Sequence, residues 1–308
     1  MKLGTFVKHP TKKEWGIGKI IDIFTDYDGE KITVNFKNKA SLVTLIQKPE
    51  YTKLIIVEKS ELSVGINRSA FKLYDYIRTK YGKDHDKWHD LEAGTKTLQD
   101  DEECAQYLYS YSPMVQKQWD TVSKELDKLD FLSLEIQIEI IDYACGQGGA
   151  STLFLDKFYQ DYKAAITKIK LIEPSSAAIK KAKIYLKEYS SNIQMEFINK
   201  NFNSLDSKEL EFDESSLKIH LFSNILDIEN IRSDLLLSKI LENKGKHLFL
   251  AFGNDRGIKG GTPLFVNFYN KLDSLEYNKK TIPPTRFEFS GSNRPMKAIF
   301  FIAYVEVS

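Results

Sequence analysis

Short apolar runs in the second half of the chain, each followed by polar or small residues, predict the strands of a sheet. Residues 136–141 are apolar and β-branched except for Gln137 and Glu139, a pattern that predicts a strand. Comparable runs predict four more strands, at residues 168–173, 193–198, 217–222 and 246–252. Helical periodicity follows the first two runs, and strands that alternate with helices indicate an α/β fold with a mostly parallel sheet.

Two further strands are predicted at the end of the chain, at residues 286–289, where phenylalanines alternate with charged residues, and at the largely apolar residues 298–307. The segment between them contains Gly291 and Pro295, and both residue types favour turns. Two strands joined by a short turn predict an antiparallel hairpin at the end of the sheet.

The turn after the first predicted strand is built from small residues. Asp142 ends the strand, and the turn that follows consists mainly of Ala144, Cys145, Gly146, Gly148, Gly149 and Ala150. A helical apolar pattern begins at Leu153. Glycine lets the backbone turn sharply and lets a ligand approach main-chain N–H groups closely. A strand, a glycine-rich turn and a helix in this order predict the opening unit of a nucleotide-binding α/β fold.

The acid precedes the glycines in this turn, with the spacing Asp142-x-Ala144-x-Gly146-x-Gly148. A dinucleotide-binding turn instead begins with its glycines and places a pyrophosphate at the helix N-terminus. The spacing resembles the first motif of the class I S-adenosylmethionine-dependent methyltransferases, Asp/Glu-x-Gly-x-Gly-x-Gly, with Ala144 in place of the first glycine. The resemblance implies S-adenosylmethionine as the cofactor, since its amino group and sulfonium suit a nearby carboxylate.

Later positions extend the resemblance over residues 134–308. The second predicted strand ends in Glu173, followed by Pro174, and the family places an acid there that accepts from both ribose hydroxyls. After the third strand the family often has an acid that contacts the adenine, whereas this chain has Asn201 and Asn203. The resemblance implies a Rossmann-like class I methyltransferase sheet with a C-terminal antiparallel hairpin; another doubly wound α/β domain is the alternative. The candidate cofactor-binding residues are Asp142, Ala144, Cys145, Gly146, Gly148, Glu173, Pro174, Asn201 and Ser223.

The segment after the fourth predicted strand carries the candidate catalytic residues. Methyltransferases that act on adenine or cytosine amino groups have Asn/Asp-Pro-Pro-Tyr/Phe at this place, whereas this chain has Phe-Ser-Asn-Ile-Leu-Asp at residues 222–227. The Pro-Cys nucleophile of cytosine-C5 enzymes is also absent from the sequence. By position, Ser223, Asn224 and Asp227 are the candidates to face the transferred methyl group, and Asp227 is either a base or a helix-capping acid.

Residues 1–58 predict a separate unit, a small antiparallel β-barrel. Short β-branched runs, such as residues 31–36, alternate with Gly, Asp and Asn. The string VKHPTKKEWGIGKI, followed by KITVNF, resembles the Tudor-like or SH3-like module of some DNA-repair helicases, and such modules bind proteins or nucleic acids. The unit is mildly basic because its lysines outnumber its acidic residues. A purely structural appendage is the alternative.

Residues 59–130 predict a helical spacer. His85 and His89 have the spacing of a helical metal pair, but no third ligand is evident, so a solvated polar turn is preferred. An aromatic stripe that includes Tyr107–Pro113 predicts a helix with a break near Pro113. In many methyltransferases a helix before the first strand covers the cofactor pocket, so Tyr107–Pro113 is a candidate lid; aromatic helix packing is the alternative.

Composition indicates a globular chain of more than one domain, with 308 residues of which 42% are hydrophobic and 28% charged. The net charge of +1 excludes a global field that attracts polyanions. Two cysteines, Cys104 and Cys145, allow neither a disulfide framework nor a thiolate zinc site, and we expect no metal. No signal-peptide pattern and no membrane-spanning apolar run occurs, so we expect a cytoplasmic protein without membrane contact. The predicted parts are residues 1–58, 59–130 and 131–308.

Together the motifs predict an S-adenosylmethionine-dependent methyltransferase that acts on a macromolecule, with RNA or DNA as candidate acceptors. Two cations among the glycines of residues 253–262 suit an anionic substrate, and a mobile surface loop is the alternative. The candidate nucleic-acid contacts are Lys8, Lys12, Lys13, Lys19, Arg256 and Lys259. The N-terminal barrel is a candidate protein-binding module. A non-catalytic S-adenosylmethionine-binding sensor or assembly protein is the alternative, because the catalytic motifs above are missing.

Overall fold

A computed structural model describes most of the chain, and it divides into two compact units, Met1–Lys80 and Tyr81–Ser308. The described residues are 5–15, 17–26, 29–36, 39, 41–46, 54–56, 84–129, 136–189, 193–229, 232–258, 260–291 and 295–308.

The first unit is a five-stranded antiparallel sheet with the strand order β4-β3-β2-β1-β5. Its strands are β1 (Phe6–Lys8), β2 (Ile17–Asp26), β3 (Gly29–Phe36), β4 (Val43–Ile46) and β5 (Ile55–Ile56). A register shift between Ile20 and Asp22 of β2 marks a bulge, which bends a strand and increases its twist. The buried core consists of Val7, Ile20, Ile32, Val34, Phe36 and Leu54. The result is a half-barrel, and its kinship to Tudor-like or SH3-like modules stays a prediction.

The second unit is built on a seven-stranded mixed sheet with the order β11-β12-β10-β9-β6-β7-β8. Its strands are β6 (Ile138–Tyr143), β7 (Ile166–Ile172), β8 (Gln194–Ile198), β9 (Leu217–Ser223), β10 (Gly245–Asn254), β11 (Asn278–Ser290) and β12 (Pro295–Val307). Strands β6 to β10 pair in parallel, whereas β12 pairs antiparallel with both β10 and β11. A parallel sheet that ends in an antiparallel hairpin is typical of Rossmann-like methyltransferases, and the predicted fold class is confirmed.

Six α-helices accompany the sheet in the described part of the second unit. They are α1 (His85–Asp90), α2 (Asp101–Asp127), α3 (Gly149–Tyr162), α4 (Ser176–Tyr185), α5 (Ser233–Leu241) and α6 (Thr262–Ser274). Every residue of the central strand β6 is buried, as expected for a parallel strand that is covered on both faces. Among the described residues, no helix is both long and apolar enough to cross a membrane.

Two elements extend further than the sequence pattern predicted, and each extension includes proline. Helix α2 continues through Pro113, where a break was expected, because Leu108, Trp119 and Val122 anchor both sides of the proline in the core. That packing offsets a local cost of roughly 3 kcal/mol. Strand β11 begins at residue 278 rather than 286 and carries two prolines at a register shift between Ile282 and Thr285. Strand β11 is at the edge of the sheet, where a missing backbone N–H is tolerated.

Residues 84–129, which include α1 and α2, lie in the same compact unit as the seven-stranded sheet. Residues 57–83 are outside the described residues, and this range includes the first part of the predicted helical spacer. The division into three parts at residues 58 and 130 therefore stays a prediction.

Candidate functional site

The turn after β6 contains two glycines with left-handed backbone, Gly146 at φ 53° and Gly148 at φ 77°. A Cβ atom added to Gly146 would meet no atom within 4 Å, so this glycine borders open space. A Cβ added to Gly148 would lie 3.1 Å from Leu186 Cδ1 and 3.3 Å from Ala182 Cβ. Gly146 therefore leaves room for a ligand, whereas Gly148 permits close packing of the turn against the elements that follow β7.

Ala144 occupies the first glycine position of the motif and also has a positive φ, 49°. An L-residue other than glycine pays roughly 1–2 kcal/mol for this conformation. The alanine thus keeps the backbone shape of the motif at a local cost.

The Glu173 carboxylate connects the β6 turn to the end of β7. Its Oε2 accepts from the Gly146 N–H at 2.9 Å, and its Oε1 accepts from the Ser175 N–H at 2.8 Å. Burial, with 7% of the residue exposed, raises the pKa of Glu173, and the two backbone N–H groups act in the opposite direction. Each oxygen keeps a further lone pair for a ligand hydroxyl.

Asp142 lies beneath the same turn and is 1% exposed. Its Oδ2 accepts from the backbone N–H of Ser151 at 3.1 Å and from the Ser151 hydroxyl at 2.7 Å. Burial raises the pKa of Asp142 to about 7, against the effect of the two Ser151 bonds. Its Oδ1 is buried without a hydrogen-bond partner among the described residues. A buried acceptor without a partner indicates a polar group still to be supplied.

A pocket opens at the carboxyl ends of β6, β7 and β9. It encloses about 220 Å³, and since roughly 10–15 Å³ suffices for one water, it accommodates an organic ligand rather than a single ion. The lining residues are Gly94, Thr95, Lys96, Thr97, Leu98, Tyr107, Ala144, Gly146, Glu173, Pro174, Asn201, Asn203, Ser223, Asn224, Ile225 and Ile228.

Most of the predicted cofactor-binding residues meet at this pocket. Six of them line it, namely Ala144, Gly146, Glu173, Pro174, Asn201 and Ser223. Asp142, Cys145 and Gly148 lie behind the lining. Burial raises the pKa of Cys145 well above its usual range, so its thiol is not a reactive thiolate.

A loop before α2 forms a wall of the pocket that sequence reasoning did not predict. Residues 94–98 line the pocket, and the Ser175 hydroxyl donates to the carbonyl of Leu98. Tyr107, from the predicted lid, lies in the same wall, with its ring 4.9 Å from that of Tyr111. Burial and then the nearby Glu173 raise the pKa of Tyr107. The string Gly-Thr-Lys-Thr, just before the helix, was the available sequence signal.

Asparagines after β8 shape the adjacent part of the pocket. The Asn201 Oδ1 accepts from the Asn203 N–H at 2.9 Å, so its amide nitrogen and one lone pair of Oδ1 are left for a ligand. Asn199 was not a predicted site residue, yet its Nδ2 donates to the carbonyls of Glu173 and Pro174, both at 2.8 Å. Asn199 thereby holds the segment that carries the Glu173 carboxylate.

Asn224, at the end of β9, belongs to a cluster of three carboxamides. Its Nδ2 donates to Gln118 Oε1 at 2.8 Å, and Gln118 Nε2 donates back to Asn224 Oδ1 at 3.3 Å. Gln118 Nε2 also donates to Asn254 Oδ1 at 3.1 Å. We refer to Gln118, Asn224 and Asn254 as the carboxamide cluster. Gln118 was not predicted, although a glutamine among the apolar residues of α2 was a usable signal.

Asp227 lies behind the pocket lining, and its side chain is 3% exposed. The Arg256 Nε is 3.0 Å from Asp227 Oδ2, an ion pair whose angles fall short of a hydrogen bond. Burial raises the pKa of Asp227, and Arg256 partly opposes this. Helix α5 begins only at Ser233, with Arg232 at its N-cap, so Asp227 does not cap that helix. The nearest charged partner of the candidate base is therefore the candidate substrate-binding arginine.

The predicted cations differ in accessibility. Lys12 and Lys13 are exposed, and Lys8 is half-buried. Lys19 is 6% exposed, so the prediction that it contacts a phosphate is wrong, because burial withholds its side chain from a large partner. Lys259 lies outside the described residues.

The metal-pair alternative gains no support within the described residues, where no three His, Cys, Asp or Glu side chains come together to hold an ion. His89 is exposed, and the side chain of His85 is outside the described set.

Comparison with protein families gives one match, over residues 1–45, to a family described as "Protein of unknown function (DUF3553)". The match includes β1 to β3 and most of β4 of the half-barrel, but neither β5 nor any of the pocket residues. No curated protein sequence matches the chain.

Solved structures similar to the chain are methyltransferases of low sequence identity. An rRNA methylase from Streptococcus thermophilus is 12% identical with a TM-score of 0.37, over 57% of this chain and 92% of that chain. The plantazolicin methyltransferase BpumL, solved with a desmethylPZN analog and SAH, is 13% identical with a TM-score of 0.41, over 78% of this chain and 100% of that chain. TYW2 from P. horikoshii is 10% identical with a TM-score of 0.35, over 62% of each chain. Because these TM-scores are below 0.5, the fold class rests on the strand order.

Proposed function

We propose that the chain binds S-adenosylmethionine in this pocket and transfers its methyl group to an acceptor. The observation that carries the proposal is the buried Glu173 carboxylate, fixed by the Gly146 and Ser175 N–H groups beside an open glycine turn. A carboxylate at the end of the second strand of a parallel sheet is placed to accept from both ribose hydroxyls of a nucleoside.

The remaining residues fit the other parts of this cofactor. The open space at Gly146 lets the ligand approach the backbone closely. The Asp142 Oδ1, which lacks a partner among the described residues, suits an amino group or an ordered water beside it. The Asn201 amide nitrogen suits an acceptor on the adenine edge. When bound, the cofactor supplies an electrophilic methyl group on a sulfonium.

The contribution of the protein to transfer is positioning. Ser223 and Asn224 line the pocket at the end of β9, where an acceptor would be held in line with the methyl group. Asp227 is buried, is paired with Arg256 and does not line the pocket, so it assists through Arg256 rather than as a free base. We therefore assign acceptor alignment to Ser223 and Asn224.

RNA or DNA is the acceptor class we propose. In the half-barrel, Lys12 and Lys13 are exposed cations that suit a phosphate backbone. In the second unit, Arg256 follows β10 and Arg286 lies in β11, and each pairs with an acidic side chain at 3.0 Å, Asp227 and Asp255 respectively. We also propose a protein partner for the half-barrel, because the Tudor-like or SH3-like modules that its sequence resembles bind proteins as well as nucleic acids.

A non-catalytic role as a sensor of S-adenosylmethionine is the second candidate. The observation that favours it is the position of Asp227, whose carboxylate is paired with Arg256 and does not line the pocket. A sensor needs the cofactor contacts of Glu173 and Gly146 but no acceptor alignment.

Two measurements on the full chain separate these functions. Calorimetric titration with S-adenosylmethionine and S-adenosylhomocysteine tests the cofactor, and absence of binding to both would refute either function. Transfer of a tritiated methyl group to pools of RNA, DNA and protein tests catalysis. Binding without transfer to any pool would favour the sensor, whereas labelled RNA or DNA would support the proposed enzyme and labelled protein would replace its acceptor class.

A further inference from the structure

The carboxamide cluster connects a helix outside the sheet to the pocket. We propose that Gln118 is a positioning residue, which fixes the plane of the Asn224 carboxamide so that the remaining lone pair of Asn224 Oδ1 faces the sulfonium methyl group. This inference rests on the proposed function, because it assigns a role toward the proposed cofactor.

Gln118 uses its full carboxamide on two partners. It is 0% exposed on α2, and it accepts from Asn224 Nδ2 while donating to Asn224 Oδ1 and to Asn254 Oδ1. These bonds engage both amide hydrogens and the oxygen of Gln118, which leaves the group no freedom to rotate without breaking a buried hydrogen bond.

Asn224 is fixed at both its backbone and its side chain. Its backbone N–H donates to the Phe252 carbonyl at 2.8 Å, and its φ of 55° is left-handed. Two hydrogen bonds to the same partner, Gln118, hold the carboxamide plane. The Oδ1 retains one lone pair, and the residue lines the pocket beside Ser223. A carbonyl oxygen near a sulfonium favours the positively charged cofactor over its neutral product.

A purely structural role for Gln118 is the competing explanation. In that case Gln118 only ties α2 to the ends of β9 and β10, and its loss lowers the stability of the fold without altering ligand discrimination. The positioning role instead predicts a changed ratio of S-adenosylmethionine affinity to S-adenosylhomocysteine affinity. These two ligands share every group except the methyl and its charge, so other pocket contacts cancel in the ratio.

The test is a double-mutant cycle in the full chain, with Gln118→Met, Asn224→Ala and the double variant titrated with both ligands by calorimetry. We expect Gln118→Met to lower the affinity ratio by about two- to fivefold, the size of a weak C–H···O contact. Because Gln118 acts through Asn224, the double variant should show the same ratio as Asn224→Ala alone. Gln118→Asn keeps a carboxamide but shortens its reach, and it serves as the second variant if Gln118→Met does not fold.

Gln106→Met is the matched control. Gln106 is a second buried glutamine of α2, but its Oε1 accepts from the Asp84 N–H at 3.0 Å, and Gln106 does not line the pocket. This control should lose stability and keep the wild-type ratio. A wild-type chain that binds neither ligand overturns the proposed function itself. Wild-type binding with an unchanged ratio in the Gln118 variants, or additive effects in the double variant, overturns the positioning role alone.

Discussion

Two glycines in the β6 turn, Gly146 and Gly148, both have a positive φ but differ in their neighbours. We therefore expect alanine substitutions at these two positions to differ in their effects on stability. Gly148→Ala should lower the free energy of unfolding by roughly 2–4 kcal/mol, because its Cβ adds close contacts with Leu186 and Ala182 to the cost of a positive φ. Gly146→Ala should lower it by only about 1–2 kcal/mol, because its Cβ enters open space.

Ligand affinity should rank these two variants in the opposite order to stability. The Gly146 Cβ enters the pocket, so Gly146→Ala should weaken S-adenosylhomocysteine binding more than Gly148→Ala does. Urea denaturation and calorimetric titration of both variants measure the two rankings. A common ranking in both measurements would show that the turn acts as one structural unit.

Glu173 supplies the second prediction at the residue scale. Glu173→Ala removes the carboxylate that would accept two ribose hydroxyls, which should cost on the order of 1.5–3 kcal/mol, or at least tenfold in S-adenosylhomocysteine affinity. It also leaves the Gly146 N–H without its acceptor.

Glu139→Ala is the matched control for this loss, because Glu139 is a buried carboxylate of β6 outside the pocket lining. Calorimetry should find near wild-type affinity in the folded control. Equal affinities in the wild type and the Glu173→Ala variant would rule out the proposed cofactor site.

That Glu173 and Gly146 lie near each other could be predicted from the sequence, because each comes soon after an apolar strand. Parallel strands bring their carboxyl ends to one edge of the sheet. Gln118 could not be predicted in the same way, because its partner Asn224 is 106 residues away. The packing of α2 against the sheet sets that contact, and no local spacing encodes it. The sequence places Ala144 at the first glycine position of the motif, but its left-handed backbone became apparent only in three dimensions.

At the scale of elements, the sequence predicted the existence of strands better than their limits. The buried strand β6 follows from a β-branched run that only Glu139 interrupts, and β12 follows from the largely apolar residues 298–307. The early start of β11 did not, because its first half alternates exposed and partly buried residues and contains two prolines. Pro113 similarly suggested a break in α2 that tertiary packing overrides. Proline destabilises a helix or strand locally, and the packing of the neighbouring residues determines whether the element continues through it.

Two buried histidines connect neighbouring strands of the sheet and predict a pH dependence of stability. Because the Asn243 carbonyl only accepts, His247 Nε2 donates to it at 2.9 Å, and His247 Nδ1 then accepts from His220 Nε2 at 3.0 Å. His220 Nδ1 in turn accepts from the Tyr143 hydroxyl at 3.0 Å. Burial lowers the pKa of His247 to about 4 and holds the pKa of His220 well below its usual range, with Lys218 acting in the same direction on both. Both rings are therefore neutral in the fold.

The unfolded chain protonates each histidine near pH 6.5, whereas the folded chain does not until about pH 4 for His247. Stability from this pair is therefore complete above pH 6.5 and falls as the pH decreases, by roughly 1.4 kcal/mol per pH unit for each histidine. Asp142 acts in the opposite direction, because burial raises its pKa to about 7 and its protonated form is favoured in the fold. The difference between wild type and a His247→Gln variant isolates the histidine contribution.

Urea denaturation at pH 7, 6 and 5 measures this difference. The His247→Gln variant should be less stable than wild type at pH 7, and the gap between them should narrow towards pH 5. A constant gap across this range would mean that the pKa of His247 is the same in the folded and the unfolded chain.

At the scale of the whole molecule, the sequence predicted that the half-barrel and the large sheet are separate units, because their apolar patterns differ. The first unit has short antiparallel strands, and the second alternates strands with helices. The ion pairs of Arg256 and Arg286 could not be predicted from the sequence, because only the fold brings their acidic partners close. The sequence alone therefore does not show which lysine and arginine side chains are exposed and which are already paired with acidic residues.

This difference in availability determines the prediction for nucleic-acid binding. Lys12 and Lys13 are exposed in the half-barrel, so they are the preferred candidates for phosphate contacts. Each lost contact should reduce the slope of log affinity against log salt by about 0.9 for duplexes and 0.7 for single strands. A Lys12→Ala, Lys13→Ala double variant should therefore bind RNA or DNA more weakly and with a flatter salt dependence, while its S-adenosylhomocysteine affinity stays at the wild-type value.

A charge-matched control separates local contacts from net charge. Lys163 and Lys244 are exposed at the amino ends of β7 and β10, at the edge of the sheet opposite the pocket. Their double substitution by alanine removes the same charge but should leave the salt slope unchanged, because counterion release follows contacts rather than total charge. Gel-shift series over ionic strength, with short duplexes and single strands, measure both variants. Equal slopes in all three proteins would assign binding to other residues, and no binding by the wild type at low salt would remove nucleic acid as the partner.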